Sequence, residues 1–121
     1  MQRFTDLIVW QRSHQLVLTI YRLTACFPGE EQYGVTSQLR RAAVSVPSNI
    51  AEGSKRKHAQ DYARFLNLAE SSLVEAEYFV MLSRDLELFD QSVKADELLR
   101  EIEEISRMLS VLRRKVENKN M

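Results

Sequence analysis

The chain has 121 residues and a mass of 14.1 kDa, which suits one domain with a single core and leaves little for a second. Its 17 Lys plus Arg balance 17 Asp plus Glu, so tight non-specific nucleic-acid binding by a monomer is disfavoured while a local basic patch is not. Composition is that of a soluble globular protein, at 45% hydrophobic and 28% charged, and no stretch approaches the ~20 apolar residues of a membrane helix.

The first predicted helix runs from about Asp6 to Cys26. Leu16, Ile20, Leu23 and Phe27 form one apolar row and Trp10, Val17 and Tyr21 a second, so its buried stripe is wide. His14 lies in the second row, one turn from Trp10, and reads as a packed ring rather than a ligand or a base. The lone Cys26 cannot form an internal disulfide and, near Leu23 and Phe27, is expected to be a buried thiol, which fits a reducing compartment. No basic-then-apolar leader opens the sequence, and the expectation is a cytoplasmic protein with no membrane partner. Pro28 and Gly29 end the helix, and a loop follows to Val35.

Thr36 or Ser37 is placed to cap the second helix, which ends near Gly53. Within it the stretch QLRRAAVSVPSNIAEG, Gln38 to Gly53, sets Leu39, Ala43, Val46 and Ile50 on one face and Arg41, Ser45, Ser48 and Glu52 on the other, with Asn49 beside them. Small residues between the stripes, Ala42, Ala51 and Gly53, let a neighbouring backbone come close. Pro47 removes the amide that would bond the Ala43 carbonyl, and a kinked helix is expected. Lys55, Arg56 and Lys57 follow at once. The third helix begins at His58 or Ala59 and continues to about Leu86, with Tyr62, Leu66, Ala69, Leu73, Ala76 and Val80 alternating by four and three. Phe65, Ser72, Phe79, Leu82 and Leu86 widen its apolar side. After a turn at Phe89 to Gln91, Ser92 is placed to cap the fourth helix, whose heptad Leu98, Ile102, Ile105, Leu109, Leu112, Val116 is unbroken. Asn118 to Met121 are expected to fray.

Four long helices with short connections predict an all-α fold, one antiparallel up-down-up-down four-helix bundle domain over residues 1–121. That topology makes the molecule polar. Met1 to His58 carries eight basic and four acidic residues and Ala59 to Met121 nine and thirteen, so the halves are +4 and −4. One end gathers Arg3, Lys55, Arg56, Lys57, Arg64, Arg113, Arg114, Lys115 and Lys119. The other gathers Glu30, Glu31, Asp85, Glu87, Asp90, Asp96 and Glu97, with Arg40, Arg41, Arg84 and Lys94 among them. Such placement also complements the helix dipoles, at ~0.3 to 1 kcal/mol each, without any partner. The density of Lys55, Arg56 and Lys57 exceeds what a dipole asks for.

The short polar stripe of the second helix suggests a covered face, either against another helix of the same chain or against a second subunit. Arg41 is then free to pair with Glu52 of a neighbour or with Glu75 of the third helix. Catalytic signals are weak. No histidine follows a glutamate at the spacing of carboxylate-bridged metal bundles, two histidines and one cysteine are too few for zinc, and no glycine-rich phosphate loop occurs. Arg12 is too close to His14, and Arg56 to His58, for the arginine and histidine pair of a HEPN-type ribonuclease. No catalytic residue, metal or cofactor is expected.

Val9 to Gln11 (VWQ), Ile20 to Pro28 (IYRLTACFP), Tyr33 to Gly53 (YGVTSQLRRAAVSVPSNIAEG) and Phe65 to Glu77 (FLNLAESSLVEAE) carry a resemblance over nearly the whole chain. The sequence resembles the four-helix bundle proteins encoded in intervening sequences of bacterial 23S rRNA genes, a group similar to the accessory variability protein of diversity-generating retroelements. His58 stands where the family tends to place a capping serine, and Ser71 where it tends to place glycine, which is expected to loosen a close helix contact. The resemblance implies a homopentameric ring, and for the retroelement relative it implies binding of nucleic acid and of a reverse transcriptase through a basic surface. A ring would repeat one basic end five times, so weak phosphate contacts would add. The expectation is a non-catalytic homo-oligomer that binds RNA through Lys55, Arg56, Lys57, Arg113, Arg114 and Lys115, with Arg40 and Arg41 helping or holding the ring together. Arg41, Ser45, Ser48, Asn49 and Glu52 are the candidate oligomer or helix contact. The alternative is a scaffold that binds another protein and has no affinity for nucleic acid.

Overall fold

Alternation of apolar residues by four and three produces four helices, α1 (Ile8–Thr24), α2 (Val35–Ser54), α3 (Ala59–Asp85) and α4 (Ser92–Asn118), with single 3-10 turns at Phe4–Asp6 and Gly29–Glu31. The structure is a computed structural model and describes residues 3–119. No strand occurs among the described residues. Each helix packs on the next and α1 closes on α4, giving the antiparallel four-helix bundle; α2 meets α3 most extensively and α1 meets α4 least among the helix pairs in contact.

Its core is a column of aliphatic side chains from all four helices: Leu16 and Ile20, Leu39 and Ile50, Leu66 and Leu73, Ile102, Ile105 and Leu109, all fully buried. Each such burial is worth about 1.5–3 kcal/mol. The close fit of α2 on α3 comes from residues with little or no side chain. Ala42, Ala43, Ala69 and Ala76 are fully buried, and a Cβ on Gly53 would stand 2.6 Å from Phe65 Cβ. The buried hydroxyls of α1 are satisfied within the helix, Ser13 Oγ donating to the Val9 carbonyl at 2.7 Å and Thr24 Oγ1 to that of Ile20 at 2.7 Å. α2 runs through the buried Pro47 as one helix.

Packing revised several expectations. α1 stops at Thr24, so Cys26 falls in the turn beyond it and is exposed rather than buried. Tyr21 is 42% exposed despite its place in the second apolar row, its ring lying under the Arg40 guanidinium at 4.4 Å. α2 begins at Val35, with Gly34 at the cap position, so Thr36 sits inside the first turn and its hydroxyl has no partner among the described residues. Gln91, not Ser92, occupies the cap position of α4. Leu86 lies just past α3 and is exposed, as is Ser71 on α3. His14 stacks on Trp10, with ring centroids 5.1 Å apart and planes 11° from parallel. At the carboxyl end, Asn118 still closes α4, and residues 120–121 of the predicted frayed tail lie outside the described residues.

Contacts between connections fix which ends meet. Phe27, after α1, meets Phe89, before α4, edge to face at 5.1 Å. At the other end Lys55 Nζ lies 5.8 Å above the Phe4 ring, which brings the start of α1 to the turn between α2 and α3.

Candidate nucleic-acid interface

The α2–α3 turn is short because α2 runs to Ser54 and α3 begins at Ala59. Its cations therefore have no room to fold inward, and Lys55, Arg56 and Lys57 are all exposed. Arg56 is held loosely, donating to Glu52 one turn back at 3.3 Å and standing 4.7 Å above the Phe65 ring. Arg64 approaches the same ring at 4.9 Å. Lys55 and Lys57 have no ion-pair partner among the described residues. Phe65 is thus a buried aromatic footing under two guanidiniums at the edge of the basic turn, a favourable use of the ring quadrupole.

The C-terminal part of α4 contributes unequally. Arg113 is half-buried and donates to Glu70 of α3 and, at 2.8 Å, to Glu117. These hydrogen bonds, Glu70 first, hold its guanidinium charged far above physiological pH. Arg113 is therefore a strut between α3 and α4. Arg114 touches only the Ser110 carbonyl, at 3.3 Å, and both Arg114 and Lys115 are exposed.

Arg40 and Arg41, included in the sequence-based set, lie toward the other end and are spoken for. Arg40 donates to Thr24 Oγ1 at 2.9 Å and to the Tyr21 carbonyl at 3.2 Å, tying α2 to α1. Arg41 pairs with Glu75, the partner expected on the third helix, and with Gln38. The polar stripe is covered in part by α3 of the same chain. Ser45 Oγ lies 2.8 Å from Ser72 Oγ, and Asn49 donates to the Ser45 carbonyl at 2.8 Å, whereas Ser48 and Glu52 remain exposed.

Sequence reasoning missed a two-pronged bond from Arg12 of α1 to Glu101 of α4, both prongs 2.7 Å, with a further bond to Glu104. Hydrogen bonding to Arg12 holds the Glu101 carboxyl below its ordinary range. Among the described residues no group of three His, Cys, Asp or Glu could hold a metal ion, and no helix is long and apolar enough to cross a membrane.

Fold and surface together define a small antiparallel four-helix bundle with three consecutive exposed cations in the turn between its second and third helices. The chain belongs to the 23S rRNA-intervening sequence protein family, whose family model matches residues 5–111. Its fold is also that of a crystal structure from Bacteroides thetaiotaomicron, a protein of unknown function from the S23 ribosomal protein family. That likeness has a TM-score of 0.76 at 20% identity and covers 87% of this chain and 97% of the other. No curated protein matches the chain.

Proposed function

We propose that this protein is a non-catalytic homo-oligomer, a pentamer by its family resemblance, that binds RNA by phosphate contacts from its basic end. The observation that carries the reading is the exposed trio Lys55, Arg56 and Lys57, crowded into one turn, with Arg114 and Lys115 of α4 at the same end. Since Arg40, Arg41 and Arg113 are engaged by partners within the chain, the phosphate contacts are assigned to this smaller set.

Physical reasoning sets the expected behaviour. Each phosphate neutralised releases counterions, so affinity falls steeply with salt. An oligomer presents the trio several times, and the copies act through effective concentration rather than through any one strong contact. RNA would be read by shape and backbone, because no base-reading module is present in the sequence. The test is titration of a structured bacterial RNA at two salt concentrations against wild type and the triple variant K55Q, R56Q, K57Q. Weakened binding with a shallower salt slope is expected. Unchanged affinity and slope would refute the reading and favour the protein-binding scaffold, whose apolar contacts change little with salt.

A further inference from the structure

We propose that Arg56 and Arg64, gathered on the ring of Phe65, form a two-guanidinium clamp for one phosphate group of the RNA, with Phe65 as the residue that positions both. The inference rests on the RNA-binding reading above and adds to its contacts Arg64, which that reading does not use.

Packing of α2 on α3 assembles the clamp. The Cβ position of Gly53 lies 2.6 Å from Phe65 Cβ, so the end of α2 presses on Phe65, which is only 9% exposed. Its ring is thereby fixed where the α2–α3 turn leaves the bundle. Arg56 reaches the ring from the turn, with Cζ 4.7 Å from the ring centroid, and Arg64 reaches it from the preceding residue of α3, at 4.9 Å. Two cations sharing one ring in this way stand at most about 10 Å apart, within the distance over which charges still act on one another at 0.1 M salt. They repel, and an anion between them removes the repulsion.

The surroundings leave positive charge in excess. Lys55, Arg56, Lys57 and Arg64 are all exposed. The carboxylates nearest in sequence are Glu52, which accepts one bond of 3.3 Å from Arg56, and Asp61, one turn before Arg64. Arg64 makes no ion pair with Asp61 or with any other described residue. Arg12 and Arg113, by contrast, cross to carboxylates of a neighbouring helix. A ring orders a guanidinium without occupying its N–H donors as a carboxylate does, so the planar fork of Arg64 stays available to a ligand. A carboxylate, with both oxygens on one edge, fills a single fork, whereas the tetrahedral oxygens of a phosphate diverge and can meet two. Ordering both side chains beforehand also lowers the cost of fixing them on binding.

The test titrates a structured bacterial RNA, at two salt concentrations, against wild type, R64Q, R64K, F65L and F65L with R64Q, with folding checked by circular dichroism. Arg64→Gln should weaken binding about five- to tenfold and lower the salt slope by about one. Arg64→Lys should recover the slope and not the affinity, because it keeps the charge without the fork. In the F65L background the loss on R64Q should shrink to less than about twofold, a coupling that a merely structural ring would not produce. RNA carrying a 5′-phosphate or a 5′-hydroxyl tells the two sources of phosphate apart: a loss confined to the phosphorylated form places the clamped group at the chain end, and an equal loss places it in the backbone. Wild-type binding by R64Q or R64K, or a full R64Q loss persisting in F65L, overturns the clamp and leaves RNA binding by the basic turn standing. A wild type that binds no RNA overturns both. Should F65L fail to fold, R64Q and R64K, both at an exposed position, decide the matter.

Discussion

Gly53→Ala is a one-atom test of how α2 is seated on α3 beside the basic turn. The added Cβ would lie 2.6 Å from Phe65 Cβ, 3.0 Å from Tyr62 Cδ1 and 3.3 Å from the Tyr62 carbonyl oxygen, where carbon atoms at rest prefer about 3.5–4.0 Å. Phe65 Cβ is fixed to its backbone, so no rotamer change relieves the contact and the end of α2 must retreat by about 1 Å. Overpacking of this kind costs about 1–3 kcal/mol. Alanine's helix preference returns at most about 1 kcal/mol, and less at this position in the last turn. The net loss is about 1–2 kcal/mol, or a fall in Tm of about 4–8 °C for a chain of this length. Thermal melts at fixed protein concentration measure it, since assembly makes Tm concentration-dependent. Gly29→Ala is the control, because nothing lies within 4 Å of its Cβ position, and it should shift stability by less than about 0.5 kcal/mol. If Gly53→Ala melts at or above wild type while the control behaves, the close approach of α2 to α3 is wrong. The same retreat would move Arg56, which rests on the Phe65 ring, so under the proposed function RNA affinity should fall with stability.

Four further outcomes are expected. His58 holds the cap position of α3 in extended backbone without a side-chain cap bond, so His58→Ser should raise stability by about 0.5–1 kcal/mol in urea unfolding. Glu87 has φ of 59° and closes α3 with its N–H on the Arg84 carbonyl while that of Leu88 bonds Ser83; Glu87→Gly should gain about 1 kcal/mol in the same assay. Thr36→Val removes a buried hydroxyl without a partner and should leave stability equal or raise it by about 1 kcal/mol, read as a shift in urea midpoint. Glu101 has its pKa lowered by Arg12, so its ion pair contributes stability above the ordinary carboxylate range and loses it as pH falls through the depressed value. Glu101→Gln should therefore weaken the protein at neutral pH and narrow the gap to wild type in acid, as pH-dependent melts would show.

How much of this was legible beforehand can be read from particular residues. The row Leu98, Ile102, Ile105, Leu109 is buried as its spacing requires, because helix periodicity is local and one face must be dry. Gly53 was likewise visible as a point of close approach. Arg41 and Glu75 could be named as partners since both sit on outward edges of adjacent helices, but the choice between Glu75 and a neighbour's Glu52 needed the packed pair.

The sequence by itself determined the number of helices, their order, their apolar faces and the polarity of charge along the bundle, since these follow from spacing and from short connections. Tertiary structure decided which cations are at liberty. Arg12 meets a carboxylate 89 residues away and Arg113 one 43 residues away, and nothing in local pattern separates them from Lys55 or Lys57. It decided, too, that Cys26 and Tyr21 face solvent. A residue's spacing states which side of its own helix it occupies, whereas its burial and its bonds depend on how far a second helix reaches across that side.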